Sequence, residues 1–474
     1  MDRAELGRLT REELIELVLR LQQLVGALSR QVEALRDLEA RVAELEAAAE
    51  AARRSAPPKT PDNSSVPPSQ GFKANRAERR QRKRGPKRGH VGRSRHRQVP
   101  DVIVRCRPEQ CTGCGAALPA SGQRRVGRSQ VVEVVPARAV VIEAWRYAAR
   151  RRACGTRTVA AAPAGLEAAR TFGPELEALL AYFHERHHLS YARLVEVCDQ
   201  VLGLRISQGA VATALARVAE RARPRYAAIG AAVRASPVIG SDETRARVDG
   251  QTWWQWVFQS AQASYHVLAP TRAATVIDAF LAGTEPPAWI ADLYAAQVGT
   301  AARVYQVCLA HQIRDLTYAV EADDLEGRVW AVALRHLFGR AIHLHHERAQ
   351  IAPASFSRRR TRVLTAAQRL IFGPPLGHGP AWALQQRYRR HWDALFVFLD
   401  RTDVAPTNNA SERDLRNSVI HRKVTGGYRS TWGAEASAIF TSLLTTARKQ
   451  GDNLLDALRA VTAPAPQLAH DMAT

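Results

Sequence analysis

The sequence is short of acid, of cysteine and of long apolar runs. Aspartate and glutamate number 45 against 68 lysines and arginines, which leaves a formal charge of +23 over 474 residues. A surplus of that size attracts polyanions and carries no information about fold. No apolar run approaches the roughly 20 residues that a membrane span needs. The opening MDRAELGRLTREEL has no apolar stretch leading to a small-residue cleavage site. Neither a membrane partner nor a secretory route is expected, so nucleic acid becomes the expected partner and the cytoplasm, at the nucleoid, the expected location. The six cysteines are unevenly placed, with Cys106, Cys111 and Cys114 inside nine positions. In a long cytosolic chain such crowding reads as metal binding before disulfides. The length itself predicts three or more folded units.

What is present comes in blocks. Leu14, Leu17, Leu21, Leu24, Leu28, Leu35, Leu38, Val42 and Leu45 lie on one heptad seam that only Gln31 interrupts. Four heptads with charged flanks predict a coiled coil over 1–51 and a homo-oligomer through it, the alternative being an amphipathic helix lying on the protein's own body. Residues 52–100 have no apolar period and are rich in Pro, Ser, Lys and Arg, including Lys87 and Arg88. That composition predicts a disordered linker whose basic run follows DNA phosphates. In 101–165, Cys111 and Cys114 have the spacing of half a zinc knuckle, and Cys106 and Cys154 would complete four ligands for Zn²⁺. A decayed site that folds without metal is the alternative. Residues 166–232 are helical in pattern, compatible with a helix-turn-helix or a plain helical hairpin.

After Pro237 the pattern changes to short runs rich in Val, Trp and Tyr: VIGSDETRARV, QTWWQWVFQSAQ and SYHVLAP. A helical stretch follows, then PAWIADLYAAQ and VYQVCLAHQIRDL. Three antiparallel strands, a crossover helix, a fourth strand and a strand–helix unit describe a ribonuclease-H-like sheet, split over 233–314 and 401–474. An Arg-rich helical insertion over 315–400 separates the two parts. The expected class is thus multidomain α+β. Asp242 lies on the first strand and Asp292 ends the fourth, so the two carboxylates would be neighbours. TNNASERDLRNSVIHRK offers a third in Glu412, near the first turn of a helix that Asn408 or Asn409 can cap. Hard cations such as Mg²⁺ or Mn²⁺ take carboxylate oxygens, and two such ions suit in-line phosphoryl displacement. Read singly, each acid is also compatible with a turn aspartate or an i,i+4 surface pair of Glu412 with Arg416.

From about residue 60 onward the chain resembles transposases of the insertion-sequence-66 family. The resemblance is carried by NSSVPPSQ with RGPKRGHVG, by CTGCG, by VIGSDETRARVDGQTWWQWVF, by ADLYAAQ and CLAHQIRDL, and by PTNNASERDLRNSVIHRKVTGGYRSTWGAEASAIFTSLLTTARKQG. It implies DNA cleavage and strand transfer at the ends of a mobile element by an acidic triad at Asp242, Asp292 and Glu412. Fifty residues separate the first two and 120 the last two. It also implies that Cys308 and His311, in a C-x-x-H, shape the site or touch the DNA end, a buried cysteine and a capped histidine being the alternative. Arg416 and Lys423, on the helix face of Glu412, would contact phosphates. Double-stranded DNA and accessory transposition proteins are the partners it suggests. A binding-only repressor, or a nuclease that cuts without joining, is the competing reading. Relatives carry two paired-cysteine halves, whereas Arg151 stands here where a cysteine is expected before Cys154.

Overall fold

A computed structural model describes residues 10–55, 57–60, 63–64, 98–119, 121, 123–134, 137–162, 166, 171–300 and 302–462. In chain order the elements are α1 (Arg11–Ser55), β1 (Ala148–Arg150), β2 (Arg157–Val159), α2 (Pro174–His187), α3 (Tyr191–Leu202) and α4 (Gln208–Arg234). The sheet region follows with β3 (Ile239–Val248), β4 (Gln251–Gln259), β5 (Ser264–Ala269), α5 (Thr275–Leu281), β6 (Trp289–Ala291), α6 (Ala295–Val298) and β7 (Tyr305–Val307). The chain continues as α7 (Leu309–Ala322), α8 (Leu325–Glu347), α9 (Pro353–Phe372), α10 (Pro380–Arg390), α11 (Val397–Asp400), α12 (Asn409–Thr425), α13 (Thr431–Gln450) and α14 (Leu454–Arg459). The architecture is mixed α+β in two compact units. One comprises Met1–Gly71 with Leu309–Leu395, the other Phe72–Cys308 with Phe396–Thr474.

In the second unit the described residues form a five-stranded sheet of order β5-β4-β3-β6-β7. β5, β4 and β3 are antiparallel, while β6 and β7 run parallel to β3. The β3–β4 hairpin turns on Asp249 and Gly250, both at positive φ (47° and 72°). That handedness suits a two-residue turn between twisted strands and favours Asp-Gly there. Short parallel strands need a crossover, which α5 supplies. Trp256, Phe258, Trp289 and Ile239 are fully buried, with Phe258 stacked on Phe280 at 3.9 Å.

The edge strand β5 would expose unpaired backbone donors, a hazard for any sheet. Helix α13 removes it with hydroxyls. The Ser264 amide donates to Thr446 Oγ1 at 3.1 Å, and the His266 amide donates to Ser442 Oγ at 2.9 Å. This explains a helix rich in buried Ser, Thr and Ala. Small side chains let it lie close to β5 and α4, and the buried Ser442 and Thr446 hydroxyls have β5 backbone to bond. Helices α3, α4 and α13 start at Ser190, Ser207 and Ser430, whose side chains accept amide hydrogen bonds from the first turn.

In the first unit, α1 runs 45 residues. Leu21, Leu24, Leu28, Leu35, Leu38 and Val42 of its seam are exposed. α7 to α10 build a helical body around buried Trp330, Phe338 and Tyr388. Composition predicted no order across 52–100, yet its start is packed onto this body. Asn63 is buried, accepts from the Thr60 amide at 2.6 Å and donates to Glu321 on α7 at 2.5 Å. Lys59 lies 5.1 Å from the Tyr318 ring centre. Pro57 and Pro58 restrict this backbone before folding, so fixing it costs less entropy. Residues 65–97 of the linker, with Lys87 and Arg88, lie outside the described residues.

One buried acid ties α2 to α13. Glu185 Oε1 accepts from Ser437 at 3.0 Å and Thr441 at 2.6 Å, while Oε2 has no partner among the described residues. Burial pushes its carboxyl up to about 7, against the two hydroxyl bonds that lower it. Because the folded pKa is raised, the folded state holds the extra proton between the unfolded value near 4.5 and about 7, and stability falls as pH rises through that window. Glu185→Gln, which keeps an acceptor and removes the charge, is expected to stabilise the protein at pH 8, by at most about 3 kcal/mol, and to change little at pH 4.5. Denaturant midpoints of both proteins at the two pH values check this.

Candidate active site

The parallel pairing of β3 with β6 joins Ile239 to Trp289 and Gly240 to Ile290. Extrapolated two residues beyond the paired strands, this register would align Asp242 with Asp292, which follows the end of β6. Asp242 alternates with Ser241 and Glu243 and so shares the Gly240 and Thr244 face of β3. Helix α12 crosses that same face. A Cβ on Gly240 would come within 2.9 Å of Ser411 Oγ and 3.1 Å of Asn408 Oδ1, and closer still to Gln259 Nε2. Only glycine lets the helix approach the strand so nearly. Glu412 follows Ser411 directly and is half-buried.

Asn408 was expected to cap α12. It occupies the N-cap position, but its side chain makes no capping bond. Its Nδ2 instead donates to the Ser241 carbonyl at 2.7 Å, and its Oδ1 accepts from Ser411 at 2.6 Å. The Asn408 amide donates to the Cys308 sulfur at 3.1 Å. Cys308 is fully buried at the end of β7, so it seats the helix start; His311 is half-buried on α7, in the other unit.

The exit from β6 is held by residues that sequence reasoning did not single out. Asp292 Oδ1 accepts from the Tyr294 amide at 3.0 Å, and the Tyr305 hydroxyl donates to the Asp292 carbonyl. Tyr294 donates to the Arg272 carbonyl at 3.0 Å, and the Arg272 guanidinium lies 3.7 Å from the Tyr294 ring centre and 4.8 Å from that of Trp254. The same guanidinium grips Glu243 with bonds of 2.8 and 2.5 Å. Gln297 closes the set, donating to Glu243 at 2.9 Å and Ser241 at 3.2 Å and accepting from Trp289 at 3.1 Å. The Glu243 side chain is 1% exposed. Burial raises its pKa, the negative charge of Asp292 adds to the rise, and Arg272 opposes it. Glu243, Arg272 and Gln297 thus buttress the opposite face of β3 and fix the turn that carries Asp292. The strings SDET and ADLYAAQ contained two of them, but nothing local marked those two as partners.

Among the described residues, no group of three or more His, Cys, Asp or Glu side chains is drawn together closely enough to hold a metal ion. Asp242, Asp292 and Glu412 therefore sit on adjoining elements without sharing one ligand shell. The cysteines behave alike. Cys111 opens a tight turn, its amide bonded to the Ala116 carbonyl at 2.9 Å and its carbonyl to the Gly115 amide at 2.9 Å. Arg151 makes the same two bonds, with Thr156 at 3.0 Å and Gly155 at 2.9 Å. The second turn thus repeats the first, with an arginine where the first has Cys111. Cys106, Cys114 and Cys154 are exposed. His184 and His188 are core side chains packed near His421, with ring centres 6.4 and 5.6 Å from it. Burial depresses all three, His421 to about 3.

Over residues 170–436, more than half of the chain, the sequence matches the Transposase IS66 family. The protein belongs to that family. The match spans all three candidate carboxylates and the helical body between them. Two relatives from Sinorhizobium fredii (strain NBRC 101917 / NGR234) are also similar. "Uncharacterized protein y4jD" is 25% identical over 383 residues, 74% of this chain and 73% of the relative. "Uncharacterized protein y4jO" is 37% identical over 81 residues, 17% of this chain and 25% of the relative. Within this IS66 chain, the exposed side chains of Arg416 and Lys423 lie on the helix that carries Glu412.

If Asn408 positions Glu412, Asn408→Ala leaves the buried Ser241 carbonyl unpaired and is expected to cost about 1–3 kcal/mol. Any DNA cleavage should fall further than DNA affinity does. Parallel denaturation, cleavage and binding measurements on the variant check this.

Proposed function

We propose that this IS66 transposase cleaves and joins DNA at element ends, using Asp242, Asp292 and Glu412 as ligands of two Mg²⁺ or Mn²⁺ ions. The observation that carries the reading is the parallel pairing of β3 with β6 through Ile239–Trp289 and Gly240–Ile290, which supports Asp242, on β3, and Asp292, just past the end of β6, as neighbouring ligands. The strand order β5-β4-β3-β6-β7, antiparallel then parallel, supports a ribonuclease-H-like core. The donor set fits the cations, since hard divalent ions take carboxylate oxygen and leave positions for water and phosphate. Such ions, when bound, activate water and offset charge on the attacking and leaving oxygens.

The chain's own residues do the rest. Asp242, on the middle strand of the sheet, would hold such ions together with Asp292 and Glu412. Three carboxylates without a cation would repel one another, and Asp292, whose Oδ1 accepts from the Tyr294 amide, would still offer its other oxygen to a cation. Arg416 and Lys423 hold phosphates near the cut. The 3′-hydroxyl freed by hydrolysis then attacks a target phosphodiester, forming a new bond to its phosphorus while the target strand's 3′-oxygen leaves as a hydroxyl, and no covalent protein–DNA bond forms. The exposed seam of α1 supports pairing of two subunits as a coiled coil, so that two element ends meet; the basic linker adds sequence-tolerant phosphate contact. The repeated turns at Cys111 and Arg151 support a knuckle-derived module with three cysteines, Cys111, Cys114 and Cys154, and Cys106 as a fourth for Zn²⁺. Accessory element-encoded proteins would join on the same DNA.

The test is strand transfer in vitro with labelled element-end DNA, target plasmid and Mg²⁺, comparing the protein with Asp242→Ala. Joined product that disappears in the variant is the expected result. Binding without cleavage or joining, with Mn²⁺ as well, would turn the reading toward a binding-only protein; cleavage without joining would turn it toward a nuclease.

A further inference from the structure

Between Arg328 and Arg390 the sequence holds twelve arginines, no lysine and a single acid, Glu347. The chain as a whole carries 45 acids against 68 bases, so this segment is far more one-sided than its surroundings. It forms α8, α9 and α10 of the helical body, and three of its twelve arginines meet at one cleft. On α8, Arg340, His343 and Glu347 recur at steps of three and four and so share a face; on α9, Arg359 and Arg362 do the same. These five side chains line an open cleft of about 290 Å³ floored by Leu344 and Val363. Glu347 is already engaged, by Arg359 at 3.2 Å and His343 at 3.0 Å. Arg340 and Arg362 are exposed and have no ion pair or hydrogen bond among the described residues.

Unpaired guanidinium groups facing one cleft repel each other, and a polyanion relieves that repulsion. The use of arginine alone matters, because its planar fork grips phosphate oxygens in pairs where lysine offers a point charge. The shape suits a backbone that passes through: the cleft is open and its floor apolar. We propose that the α8–α9 cleft is a second DNA-binding site, separate from the carboxylates, that holds the sugar-phosphate backbone of duplex DNA through Arg340, Arg359 and Arg362. Contacts of this kind carry no base information, so the site tolerates any sequence. Only the identity of the polyanion rests on the transposase reading.

The test uses the full-length protein and a labelled random-sequence duplex, with affinity followed by fluorescence anisotropy across a salt series. The triple variant R340A/R359A/R362A is expected to bind at least about tenfold more weakly at low salt, and its salt slope is expected to fall by about 0.9 for each phosphate that the variant no longer grips. Glu347→Gln, which removes the one opposing charge, is expected to tighten binding roughly two- to fivefold; this gain-of-affinity arm stands even if the triple variant unfolds. The triple Arg→Lys variant is expected to keep the slope and recover part of the affinity. An unchanged slope and affinity in a folded triple variant, or no tightening in Glu347→Gln, overturns the proposal. Neither readout needs cleavage. Altered binding alongside absent strand transfer therefore sinks the catalytic reading alone, and intact strand transfer with unaltered binding sinks this one alone.

Discussion

The parallel pairing of β6 against β3 is the constraint on which the candidate site depends. Two backbone pairs, Ile239 with Trp289 and Gly240 with Ile290, set the offset between the strands. A slip of one residue would turn every later side chain of β6 to the other face, taking Asp292 away from Asp242. The register is protected by burial. Ile239 and Trp289 are both fully buried, and the Trp289 indole is bonded to Gln297, which in turn reaches Ser241 and Glu243. Polar bonds and apolar packing thus fix one alignment, and neither suffices alone.

The second requirement is that α12 stay on the face where Asp242 points. No large apolar surface does this. The helix start is pinned by an amide to a strand carbonyl, a backbone donor to a buried sulfur and a glycine that leaves room. Further along, Arg422 reaches Thr244 at 3.3 Å and the Arg245 carbonyl, and Tyr428 bridges to Val248. Buried polar bonds are directional and costly to leave unmade, so they hold an acidic residue in place more sharply than a greasy contact would. The hydroxyls of α13 on the β5 edge follow the same logic.

The helical body interrupts the chain between β7 and α12 without supplying any of the three carboxylates. Between Arg328 and Arg390 its charged side chains are all arginine but for Glu347. Steering and retention of DNA come largely from phosphate contacts, which arginine side chains supply without base information.

Local rules made much of this protein legible before folding. Heptad spacing marks α1, Asp-Gly marks the β3–β4 turn, and short Val- and Trp-rich runs separated by turn residues give the five strands in their observed order. These signals reach over a few residues, so the chain carries them alone. The family motifs pointed to Asp242, Asp292 and Glu412 as candidates. Sequence did not show that Asn408 reaches a strand 167 residues away instead of capping its own helix, nor that Cys308 seats that helix. It did not show that Glu243, Arg272 and Gln297 brace the Asp292 turn, or that Arg340 and Arg362 share a cleft. Each of these is a pairing between distant segments, whose energy exists only when both partners are desolvated together. That depends on register and packing, and only the tertiary structure decides it.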